Sequence, residues 1–163
     1  MNTYLKILAI IIMVNSPLLS QKPPIYDSVY IQVNNLIGDE LQLIDSSYSK
    51  PSVIQPEYGD YMVLNWNKNL IITICQASNE EYAKGILGGM LLQTDLSHKE
   101  INNKNLDRAY HSGSLAWLGN SSTYLGLRNR IVFCIHVSNT SDSVGLSMKC
   151  GEIIAKTLLN NGY

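Results

Sequence analysis

The sequence predicts an α+β fold: a mainly antiparallel sheet of about six to seven strands, in the order ββββ-α-βββ-α, with two helices packed on one face. Three observations lead there. Short apolar runs alternate with period two, the mark of half-buried strands. Two later stretches switch to a period near 3.6, the mark of amphipathic helices. The strand candidates are joined by short turns, and strands so joined pair antiparallel, which leaves the helices to cover the sheet.

The N-terminus is read first as an export signal. "MNTYLKILAIIIMVNSPLLSQ" has a single lysine, Lys6, then the apolar run Ile7–Val14, then a polar, proline-containing stretch ending in a small residue. Cleavage is expected near Ser20, which places the mature chain in a periplasm or outside the cell. The expected organisation is a signal peptide over 1–20, a Pro-rich lead-in over 21–27 and one globular domain over 28–163.

Within that domain, "SVYIQV" alternates Val29, Ile31 and Val33 against Tyr30 and Gln32 and reads as the first strand. "ELQLID" reads as the second, preceded by a Gly38-Asp39 turn. From Ser46 to Asp60 the chain is polar with two prolines and a glycine, a long loop of the kind that often carries function. "YMVLNWNKNLIITICQ" is a hairpin turning at Asn65–Asn69. Then "SNEEYAKGILGGMLLQ" is a helix, with Ser78 and Glu81 as a capping box and Ala83, Ile86, Leu87 and Met90 on one face. Gly85, Gly88 and Gly89 weaken that helix by roughly 1 kcal/mol each relative to alanine, and are expected to mark close packing or an early end. A polar connection leads to three strand candidates, "AYHSGSLAWLG", "STYLGLR" and "RIVFCIHV". "VGLSMKCGEIIAKTLLNNGY" closes the chain as an amphipathic helix.

Composition narrows the function. The 163 residues are 45% hydrophobic and 15% charged, with 12 basic and 13 acidic residues and no basic cluster. Phosphate recognition needs such a cluster, so nucleic acid is excluded as a partner. No segment after the signal is long and apolar enough to span a bilayer, so no membrane span is expected in the mature chain. No cofactor motif and no metal-type ligand spacing occurs, and no cofactor is expected.

The candidate chemistry is thin. In "RIVFCIHV" period-two alternation puts Cys134 and His136 on one strand face, opposite Ile131, Phe133, Ile135 and Val137. A neighbouring cysteine and histidine can form a nucleophile and base, the basis of an alternative reading as a small secreted hydrolase or thiol enzyme. Cys134 is mid-strand with no glycine-rich turn beside it, which favours a structural role. Cys75 occupies the matching face of its own strand, so a Cys75–Cys134 disulfide is expected if the two strands are neighbours. His98, His111 and His136 form a metal site only if all three converge. The aromatic set is lopsided, with ten tyrosines, two tryptophans and one phenylalanine. Tyrosines suit recognition surfaces, and several concentrate near the 46–61 loop. Tyr48, Glu57, Tyr58 and Tyr61 are therefore the expected binding residues. The reading is an exported, soluble binding domain rather than an enzyme, its partner an exported or envelope protein or a small apolar ligand.

Overall fold

The computed structural model describes residues 22–38, 42–50, 59–67, 69–93, 98–113 and 120–163. These form three helices and one seven-stranded antiparallel sheet, an α+β fold. In chain order the elements are α1 (Pro24–Ile37), β1 (Leu43–Ser49), β2 (Asp60–Trp66), β3 (Leu70–Gln76), α2 (Glu80–Gln93), β4 (Lys99–Glu100), β5 (Arg108–His111), β6 (Ser122–Arg128), β7 (Ile131–Val137) and α3 (Ser143–Asn160).

The first element corrects the sequence reading, since the segment containing Val29, Ile31 and Val33 is helical. Both periods are present in it, and the 3.6 period has the larger apolar set: Ile25, Tyr26, Val29, Val33 and Ile37 are buried on one side of α1. Ile31, which period two places with the core, is 51% exposed. Pro24 at the first helical position supplies a pre-set φ, so the helix starts inside the expected lead-in. The segment expected as a loop from Ser46 onward begins as strand, because β1 continues through Ser49. Residues 51–58 of that loop, and the expected signal over 1–20, lie outside the described residues.

The strand order is β1-β2-β3-β7-β6-β5-β4. β3 and β7 meet at the centre in full register, with Leu70 opposite Val137 and Gln76 opposite Ile131. Tight turns using asparagine in the left-handed region join the hairpins, at Asn67 (φ 45°) between β2 and β3 and at Asn129 (φ 51°) between β6 and β7. The two edges are unequal. β1 is seven residues long and largely exposed, whereas β4 is two exposed charged residues.

The sheet buries both faces, unevenly. Met62, Leu64, Trp66, Ile72, Ile74, Phe133 and Ile135 form one core with the apolar sides of α1 and α3. Tyr124 lies at its centre, stacked on Phe133 with ring centroids 5.9 Å apart. On the other face Leu125, Leu127 and Val132 pack with Ala83 and Leu87 of α2. Two helices thus share one face, but the pair is α1 and α3. The helix at 80–93 lies across the sheet from them.

Two details of α2 differ from expectation. Its N-cap is Asn79, whose side-chain oxygen accepts the Tyr82 N–H at 2.9 Å, not Ser78. Its glycines do not pack closely: a Cβ on Gly85, Gly88 or Gly89 would meet nothing within 4 Å, and the helix runs past all three.

Candidate functional site

The expected recognition residues are separated by the pleat. Tyr48 on β1 sits opposite Met62, on the core side, while Tyr61 on β2 sits opposite Ser49 and points the other way. Tyr48 is half-buried, its ring centroid 5.8 Å from that of Tyr26. Tyr61 is 44% exposed. Only Tyr61 is a surface group, and Glu57 and Tyr58 lie outside the described residues.

Around Tyr61 the same sheet face continues through Val63 on β2 and Ile71 and Thr73 on β3 to Cys134 and His136 on β7. All five of these neighbours are half-buried. α2 covers this face over β6 and β7, and among the described residues no helix packs on it over β1–β3. The result is a broad, weakly apolar strip with a tyrosine at its rim.

Cys134 and His136 do share this face. Cys134 lies between Thr73 and Leu125, and His136 between Ile71 and Thr123. The imidazole is engaged elsewhere: His136 Nδ1 and Thr123 Oγ1 share a hydrogen bond of 3.2 Å. Burial pushes the Cys134 thiol up to about 11, so at neutral pH it is protonated and a poor nucleophile. Burial also lowers the basicity of His136. Nothing in this pair activates the sulfur.

Cys75 is on the neighbouring strand, as a disulfide would require, but it sits opposite Val132 rather than Cys134. Diagonal positions are about 7–8 Å apart. That exceeds the Cα spacing of roughly 4.4–6.8 Å that a disulfide spans. The three cysteines, all among the described residues, are thiols rather than half-cystines. Burial, reinforced by Asp60, raises Cys75 to about 11, and burial alone raises Cys150 to about 12.

The histidines do not converge. His111 pairs with Tyr124 on the α3 side of the sheet, and His136 pairs with Thr123 on the α2 side, so the sheet separates them. Among the described residues no group of histidine, cysteine, aspartate or glutamate is placed to hold a metal ion.

His111 belongs instead to a cluster that sequence spacing does not reveal. Its Nε2 lies 2.9 Å from Ser122 Oγ and 3.0 Å from Ser147 Oγ, and the two hydroxyls are 2.9 Å apart. The arrangement has the parts of a serine–histidine pair but the opposite polarity. The Gly113 N–H donates to Nδ1 at 3.1 Å, so Nδ1 is the acceptor and the neutral ring carries its proton on Nε2. Nε2 therefore donates to the serines and cannot take a proton from them. Ser147 Oγ donates in turn to the Val144 carbonyl at 3.0 Å. Both serines are fully buried, out of reach of any substrate. The cluster ties β5, β6 and α3 together. Its one trace in the sequence is Ser147, a hydroxyl within the apolar stripe of the last helix.

Two surface grooves lie away from these clusters. One, of about 760 Å³, lies between the start of α2, the β6–β7 turn and Tyr163, with Glu80, Glu81 and Arg130 on its walls. The other, of about 380 Å³, runs between α1 and α3 past Ile31, Ile153 and Lys156. Both walls carry polar groups throughout, unlike an enclosed apolar ligand site. Compared with known proteins, the sequence matches no family model and no curated relative.

Proposed function

We propose that this chain is an exported binding domain and that it contacts a partner protein through the half of a sheet face that no described helix covers, centred on Tyr61. The observation that carries the reading is the unequal cover of one sheet face: α2 shields β6 and β7, while Tyr61, Val63 and Ile71 have no described helix above them. A tyrosine at the rim of a half-buried aliphatic strip offers large contact area with a polar handle. The strip is broad and open, which fits an exported or envelope protein better than a small apolar ligand. The N-terminal pattern supplies the argument for export.

Site-specific photocrosslinking tests the surface. A photoreactive residue replacing Tyr61 should capture a discrete partner from the exported fraction of the source cells, and Val63→Lys in the same chain should abolish the adduct. The same probe at Lys149, exposed on α3, is the control. Adducts indistinguishable between the two positions, or none at position 61, would overturn the assignment.

A further inference from the structure

We propose that His111 is an acid-sensitive latch on the Gly113 N–H, at the point where the backbone turns out of the β5 ladder. The backbone ladder between β5 and β6 ends at Ser112, whose N–H donates to the Thr123 carbonyl at 3.0 Å. Ser112 Oγ returns the connection by accepting the Thr123 N–H at 2.9 Å. Gly113, the next residue, turns out of the ladder with φ of 72°, and its N–H is held by the His111 ring. The Gly113 N–H is therefore held by a side-chain nitrogen that titrates, while the Gly113 carbonyl accepts the Ser112 hydroxyl at 3.2 Å.

Protonation acts on one side of the ring only. An imidazolium donates from both nitrogens. On the Nε2 side that changes nothing, because Nε2 already donates to Ser122 and Ser147. At Nδ1 the new proton faces the Gly113 N–H, two donors across 3.1 Å, and the bond is lost. The cluster keeps its grip on β6 and α3 while the Gly113 N–H is released, the Gly113 carbonyl still accepting from Ser112 Oγ.

The surroundings set when this happens. Burial opposes protonation of the ring, and so does His98, just before β4. Lys99 of β4 is the register partner of His111 and is exposed. From β6 come Ser122 and the Tyr124 ring, edge-on at 6.3 Å. From α3 comes Ser147. At 100° per residue Lys149 and Glu152 lie well round the helix from it, and Asp142 is turned to the Gly145 N–H. Among the described residues no carboxylate pairs with the imidazole to stabilise its charge, so the charged state is relieved by loss of the Gly113 bond.

Residue-resolved amide exchange on the whole chain, read beside the ring's own NMR titration, tests the latch. As pH falls from about 7.5 to about 4.5, Gly113 protection, corrected for intrinsic rates, should drop about tenfold with the midpoint of the His111 ring, while Tyr110 and Ser112 hold. His111→Asn keeps an acceptor that does not titrate, and should make Gly113 protection independent of pH. Flat Gly113 protection through the His111 midpoint would overturn the latch. So would loss shared equally by β5, β6 and α3, which is global unfolding. Should the variant fail to fold, the wild-type comparison of the two midpoints still decides.

Discussion

A Cβ added to Gly126 would come within 2.2 Å of the Phe133 ring, and one added to Gly151 within 2.7 Å of the Tyr124 ring. These two glycines, one on β6 and one on α3, leave the space in which the Tyr124–Phe133 stack lies. Gly126→Ala should destabilise the fold by about 1–3 kcal/mol, the cost of overpacking a filled core. Thermal denaturation should register this as a fall in Tm of about 2–4 °C per kcal/mol for a chain of this size. An unchanged midpoint would mean that Phe133 moves aside without cost. From sequence, Gly126 is only a glycine in a strand, because its opposite residue is fixed by register. The same limit applied to Cys134 and His136. Their shared face was legible from alternation, whereas Thr123, the group that engages His136, arrives from another strand.

The elements themselves were read with mixed success, for identifiable reasons. β6, β7, α2 and α3 carry one unambiguous period each, and the hairpins announce their turns with asparagine. α1 carries two periods in competition, and only burial decides between them. β4 is too short to leave any pattern. α2 shows why a glycine is not self-explanatory: its three were expected to mark close packing, and all three stand over open space. They cost helix propensity with no close contact in return among the described residues. Gly85→Ala and Gly88→Ala should each therefore stabilise the protein, by about 1 kcal/mol, measured by chemical denaturation. Destabilisation by either change would reveal a contact over α2 that the described residues do not contain.

At the scale of the whole molecule, two histidines give stability a common dependence on pH. His111 and His136 are both held below their ordinary basicity in the fold, chiefly by burial and at His111 also by His98. The unfolded chain therefore takes up these protons first, at about pH 6.5. Stability is fully present above that value and is lost as pH falls from it toward the folded-state values, because there the unfolded state binds more protons. Equilibrium denaturation at a series of pH values should show this decline, and replacing His136 with glutamine should make it shallower. A stability that rises on acidification through this window would contradict the burial of both rings.

The inequality of the sheet's edges has a consequence for stoichiometry. A strand edge is a row of unpaired peptide groups and a template for another chain. Among the described residues β1 offers seven residues of it, while at the far side β4 offers two, both charged. Growth by backbone pairing is thus one-ended. Two copies joined along β1 would each turn a β4 side outward, and the assembly would stop there. An edge-to-edge contact along β1 would therefore close as a pair instead of propagating as a fibre.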